Sequence, residues 1–106
     1  MKFMTIASFK DTFYTLPKDE QKELLVEGVQ WVVDLKKKMG DRFVFYHSPG
    51  WNRQISIGRY EDLETYNESL QSPISNAGFM SYESYPLIEL DDHKLDSYLQ
   101  AAKKST

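Results

Sequence analysis

The sequence predicts an α+β domain whose elements run β-α-β-β-α-β, with a helical tail behind them. Three observations predict it. Four short segments rich in β-branched and aromatic residues carry strand-like apolar patterns. Two segments with helical spacing, bounded by caps and breakers, separate the first strand from the second and the third from the fourth. The middle two strands are joined by Pro49-Gly50-Trp51-Asn52, a turn short enough for an antiparallel hairpin. The chain has 106 residues, 41% hydrophobic and 27% charged, which suits one core.

The first strand is read over 2–9, where Phe3, Met4, Ile6, Ala7 and Phe9 put apolar groups on both faces. A linker over 10–16 keeps aromatic residues, Phe13 and Tyr14. The first helix is read over 17–39. Pro17 opens it where its missing N–H has no intrahelical partner. Asp19 and Glu20 at its start and Lys36, Lys37 and Lys38 at its end complement the helix dipole. Leu25, Gly28, Val29, Val32, Leu35 and Met39 form its apolar stripe, and Gly40 stops it. Gly28 within that stripe costs about 1 kcal/mol against Ala and is expected to let the helix approach the sheet.

The second strand is read over 42–48 and the third over 53–60. The second helix spans 61–70, with Leu63, Tyr66, Asn67 and Leu70 on one face. Pro73 and Gly78 reduce residues 72–79 to a helical turn and loop. The fourth strand is placed over 82–90. A tail helix follows over 92–103, with Leu95, Tyr98, Leu99 and Ala102 on one side. Residues 1–91 thus form the domain proper, and 92–106 a tail belonging to it. The order is that of the ferredoxin-like split βαβ motif: a four-stranded antiparallel sheet with both helices on one face.

Two helices cover one face only. A sheet with its other face in water should alternate apolar with polar residues. Here Phe43 and Phe45 point one way while Val44 and Tyr46 point the other. The helix-free face is therefore expected to be covered, most economically by the same face of a second copy; the alternative is that the tail helix folds back over it within one subunit. In the third strand Ile55 and Ile57 lie on one side, with Gln54, Ser56, Gly58 and Tyr60 on the other. Small Ser56 and Gly58 are expected to leave a cavity near Tyr46 inside such a dimer.

The landmarks Leu16-Pro17, Gly40, Pro49-Gly50, Glu61-Asp62-Leu63, Ser72-Pro73-Ile74 and Pro86-Leu87 resemble the dimeric α+β barrel superfamily. Muconolactone isomerase-like proteins, YciI-like proteins and cofactor-free monooxygenases of antibiotic biosynthesis belong to it. The resemblance covers roughly residues 1–91 and rests on turns and caps. It implies a homodimer and a small-molecule ligand, with cofactor-free isomerase or monooxygenase activity. It carries no catalytic motif over residue by residue. The alternative is a non-catalytic dimerisation or regulatory module whose interior its own side chains fill.

Composition excludes several classes. The net charge of -3 and the scattered basic residues disfavour nucleic acid as a partner. Without cysteine there is no disulfide, thiolate metal site or cysteine nucleophile. With no signal-peptide core and no apolar run near 18 residues, a cytoplasmic location away from membranes is expected. No Gly-rich nucleotide loop, metalloprotease helix or nucleophile elbow is present, so no cofactor and no metal are expected.

Among single residues, His47 is the leading candidate proton carrier, because its side chain exchanges a proton near neutral pH. A strand-end histidine bonded to the turn is the plainer reading. Asp11 would act as a base if desolvated; otherwise it serves the local turn. Tyr14, Tyr46, Trp51, Ser56 and Arg59 are the expected substrate-shaping residues. Arg53 and Arg59 together would suit a carboxylate, or pair with surface acids.

Overall fold

The computed structural model describes residues 1–50, 52–71 and 73–105. Strands β1 (Lys2–Phe9), β2 (Phe43–Ser48), β3 (Arg53–Arg59) and β4 (Met80–Leu87) form one sheet in the order β2-β3-β1-β4, antiparallel at every step. Among the described residues five α-helices accompany it, α1 (Asp11–Tyr14), α2 (Lys18–Met39), α3 (Leu63–Ser69), α4 (Pro73–Asn76) and α5 (Asp92–Lys104), with a turn of 3-10 helix over Gly40–Arg42.

Local chemistry sets the ends of these elements. Gly40 stops α2 at φ 58°, a conformation that disfavours L side chains, and its N–H bonds to the Lys36 carbonyl. Asp62 caps α3 by accepting the Thr65 N–H at 2.7 Å, so that helix begins at Leu63 rather than Glu61. That bond holds the Asp62 carboxyl below its usual range. β4 starts two residues earlier than the sequence reading because Met80 pairs with Phe9. It stops at Leu87, not Leu90, because Leu87 pairs with Lys2, the first residue of β1.

Register sorts the sheet into two faces. On one, Phe43, Gly58, Phe3 and Pro86 lie in a row, followed by Phe45, Ser56, Thr5 and Ser84, then His47, Gln54, Ala7 and Tyr82. Helices α1, α2 and α3 pack on this face. On the other, Val44, Ile57, Met4 and Tyr85 form one row and Tyr46, Ile55, Ile6 and Glu83 the next. Val44, Tyr46 and Tyr85 are exposed there, and among the described residues no helix covers them.

This register corrects the expected cavity. Ser56 and Gly58 share the helix-covered face, whereas Tyr46 points from the opposite one, so the three cannot line one space. The room above Gly58 is also taken. A Cβ built there would lie 2.7 Å from a ring carbon of Tyr60.

The main core sits at one end of the covered face. It holds Phe3, Met39, Phe43, Tyr60 and Tyr66, flanked by Val32, Leu35, Phe45 and Leu70. Tyr66 anchors it. Its ring stacks on Phe3 at 4.2 Å with 8° between planes and meets Tyr60 edge-on at 5.1 Å. Its hydroxyl donates to Ser84 at 2.7 Å and also bonds Thr5, so one side chain fastens α3 to β1 and β4. At the opposite end Phe9 stacks on Phe13 at 4.3 Å, while the Lys10 N–H bonds the Phe79 carbonyl at 2.9 Å.

The buried side of α2 differs from the expected stripe at its first turns. Gln21 is buried there, donating to the carbonyls of Tyr14 and Leu16. Leu25 and Val29 are left exposed. α5 has no buried residue, and the chain's radius of gyration is 17.5 Å, against roughly 13 Å for a compact domain of this length.

Two stability outcomes follow. Tyr66→Ala should cost about 3–5 kcal/mol in urea denaturation, and Tyr66→Phe about 1–2, since the ring stays but Thr5 and Ser84 lose their partner. Burial raises the Tyr60 hydroxyl above its ordinary pKa. Its contribution is thus complete below about pH 10 and fades as pH climbs through the raised value. Tyr60→Phe should flatten the alkaline arm of a stability–pH curve.

Candidate functional site

A cleft of about 340 Å³ lies between the amino-terminal half of α2 and the end of the sheet remote from the main core. Its floor comes from the covered face: Ala7, Phe9, Phe45, His47, Gln54, Met80 and Tyr82. Its roof is Leu25, Gly28, Val29 and Trp31 of α2. The cause of the opening is visible in the residues. Nearer the core, Val32, Leu35 and Met39 fill the gap between helix and sheet. Here a glycine above and an alanine below provide no such bulk.

The polar groups lie at the sides of an apolar middle. Gln54 donates from Nε2 to Nδ1 of His47 at 2.8 Å, across the β2–β3 pair. Nδ1 then accepts, and the neutral imidazole carries its proton on Nε2. This cross-strand bond, rather than one to the turn, orients His47. On the far side the Tyr82 hydroxyl bonds the Ser75 hydroxyl, linking the floor to α4. His47 and Tyr82 share one row, on strands three spacings apart, roughly 14 Å by backbone.

The other expected site residues scatter around this cleft. Tyr14 stands half-exposed beside it, touching Phe9 edge-on at 6.2 Å. Its hydroxyl accepts a hydrogen bond from Nδ2 of Asn52, which tethers α1 to the hairpin. Asp11 is exposed at the start of α1, so the burial on which a role as base would rest is missing. Ser56 lies one row toward the core and Tyr46 on the opposite face. Trp51 lies outside the described residues.

Arg59 belongs elsewhere. It lines a second opening of about 550 Å³ between α2 and α3, with Lys38 and Arg42 but also Asp34, Glu61 and Glu68. Along β3 it is five residues from Gln54, about 16 Å. Arg53 and Arg59 are six residues apart on that strand, about 20 Å, too far to share a carboxylate.

Sequence reasoning missed Gln54, Tyr82, Met80, Phe9 and Trp31 as lining. Gln54 was accessible: a four-residue turn from 49 to 52 pairs Ser48 with Arg53 and therefore His47 with Gln54. Tyr82 was not, because its place depends on the register of β4 against β1. Among the described residues there is no group of three metal-binding side chains and no helix long and apolar enough to cross a membrane. Neither a scan of protein-family models nor a search of curated proteins yields a match to the chain.

The Gln54 contact has a spectroscopic consequence. In ¹⁵N-resolved spectra recorded where imidazole is neutral, His47 should show the Nε2–H form. Gln54→Leu should mix the two tautomers; an unchanged pattern would remove Gln54 as the orienting group.

Proposed function

We propose that the protein is a ferredoxin-like, dimeric α+β barrel protein that binds a small, mainly apolar molecule in the cleft under α2. His47 serves there as the proton-carrying group, suited to cofactor-free chemistry such as isomerisation. The observation that supports this reading is the cleft itself. Apolar walls lie beside one oriented imidazole, which stands exposed at the edge of the cleft, an arrangement of few polar groups against a greasy hollow that small-molecule sites use. An occupant lying along the floor would place apolar or aromatic carbon over Ala7, Phe9 and Phe45. It would direct a hydroxyl or carbonyl to Nε2 of His47.

The dimer joins through the helix-free face. Val44, Met4, Ile6, Ile55, Ile57 and Tyr85 form an apolar field there, across four strands. Glu83 is the charged residue in its two central rows, and it accepts the Tyr85 hydroxyl at 2.8 Å. A folded monomer of this mass exposes roughly 6,100 Å². This chain exposes 7838 Å². A standard interface removes about 800 Å² from each partner, so the surplus accommodates one. A purely dimerising module would need this face and leave the cleft without use.

2-Naphthol, flat and apolar with one hydroxyl, is a fitting probe. It should raise the melting temperature of the wild-type chain. Gly28→Trp should abolish binding by filling the roof, and His47→Ala should weaken it about tenfold through one lost hydrogen bond. Equal affinity in all three proteins would leave the dimerisation module standing instead. Sedimentation at micromolar concentration should give a dimer, and Ile57→Asp a monomer.

A further inference from the structure

We propose that the opening of about 550 Å³ between α2 and α3 is a second binding site, suited to a free α-amino acid with an apolar or aromatic side chain. It is distinct from the cleft given to the apolar ligand, although Trp31 lines both. The opening has a greasy floor and a charged rim. Met39 and Tyr60 are buried at its bottom, with Trp31 and Leu35 half-buried beside them. The residues that α3 sets over this floor, Thr65 and Ser69, are short, which keeps it open. Ser69 spends its hydroxyl on the Tyr66 carbonyl at 2.6 Å. Among the described residues no buried side-chain nitrogen or oxygen lacks a partner, so the floor asks for carbon from an occupant.

The rim carries both signs, on different elements. Lys38 lies in the last turn of α2, Arg42 just beyond that helix and Arg59 at the end of β3. Phe43 and Gly58 are cross-strand partners, which brings the neighbouring Arg42 and Arg59 backbones side by side. Like charges so placed cost stability unless an anion lies between them. Arg42 donates from Nε to the Met39 carbonyl at 3.2 Å, which steers its guanidinium and leaves the terminal nitrogens for another acceptor. Glu61 and Glu68 come from the other side, before α3 and in its last turn. Asp34 completes the rim from α2 and accepts Nε2 of Gln30 at 2.8 Å. Among the described residues none of these six charges forms an ion pair with another.

Charge balance selects the class of occupant. A plain anion would meet the carboxylates Asp34, Glu61 and Glu68, and a plain cation would meet Lys38, Arg42 and Arg59. A zwitterion satisfies both walls at once. Its carboxylate takes the Arg42 fork, with Arg59 beside it. Its ammonium turns to Glu61 and Glu68, and its side chain lies on Trp31 and Leu35 with Met39 beneath. Both poles stay in contact with water, so each ion pair contributes a factor of a few rather than orders of magnitude. The dissociation constant is accordingly expected near about 1 mM.

Titration of ¹⁵N-labelled full-length protein with L-phenylalanine and L-leucine tests the site. Saturable shifts are expected at the Trp31 indole and at Thr65 and Ser69. 3-Phenylpropanoate, which lacks the ammonium, and phenethylamine, which lacks the carboxylate, should each bind about fivefold more weakly than L-phenylalanine. R42Q/R59Q should weaken L-phenylalanine about fivefold without weakening phenethylamine, and E61Q/E68Q should do the same without weakening 3-phenylpropanoate. All four side chains are exposed, so these variants keep the fold. Thr65→Trp fills the opening while its N–H keeps the Asp62 cap; it should block both amino acids and spare 2-naphthol. Gly28→Trp should do the reverse. Three outcomes overturn the proposal. The first is no saturable shift with either amino acid up to about 10 mM, roughly ten times the expected constant. The second is equal binding of L-phenylalanine and 3-phenylpropanoate, which would make the opening an anion site. The third is amino-acid binding lost in Gly28→Trp but kept in Thr65→Trp, which would place the amino acid in the cleft under α2. Amino-acid binding that persists where 2-naphthol fails to bind supports this site and removes the cleft reading alone.

Discussion

A four-stranded sheet has two faces, and this chain supplies helices for one. Much else in the molecule depends on that shortage. Phe3, Phe43 and Thr5 find cover under α2 and α3, and there the core is dense enough for Tyr66 to stack, bond and bury completely. Their strand neighbours Met4, Val44 and Ile6 are apolar too, but their cross-strand partners are Ile57 and Ile55 of the same uncovered face. Alternation, normally the means by which an antiparallel sheet tells inside from outside, fails in β1 and β2, and in β3 it turns Ile55 and Ile57 away from the helices. Both faces carry the composition of an interior.

The covered face is itself uneven. At one end, large side chains from three elements converge. At the other, α2 presents Gly28 to Ala7, and the gap between helix and sheet stays open. Fold and site therefore divide along the length of one helix, whose carboxyl half holds the domain together while its amino half roofs a hollow. Separating the two lets residues such as His47 and Gln54 face the hollow without sitting in the packed part of the core.

Much of the architecture was legible in the sequence because its determinants are local. The β1 boundaries, the end of α2 at Gly40, the hairpin turn and the acidic start of α3 follow from residues within a few positions of each other. The sorting of β2 side chains onto two faces was legible for the same reason, since it needs only a period of two. What escaped required contacts between distant segments. The pairing of Phe9 with Met80 lengthened β4 at one end, and the first residue of β1 limited it at the other. The burial of Gln21, which turns the start of α2 away from Leu25 and Val29, rests on carbonyls that only the path of residues 14–16 supplies. The candidate site was legible in one residue, His47. The other expected residues were chosen by type and by nearness in sequence, which the two-sided sheet does not respect: Ser56 and Tyr46 are neighbours across strands and still point apart.

The tail has one more property worth drawing out. α5 has 13 residues, and Asp91 caps it by accepting the Lys94 N–H at 2.8 Å. A helix of that length that buries none of its residues is marginal in water, since nucleation costs nearly as much as its few turns return. Its helicity is therefore a thermodynamic gauge rather than a fixed attribute. Far-ultraviolet ellipticity, amide exchange and protease sensitivity over residues 92–104 would all rise or fall with whatever surface the segment meets, while the rest of the chain stays folded.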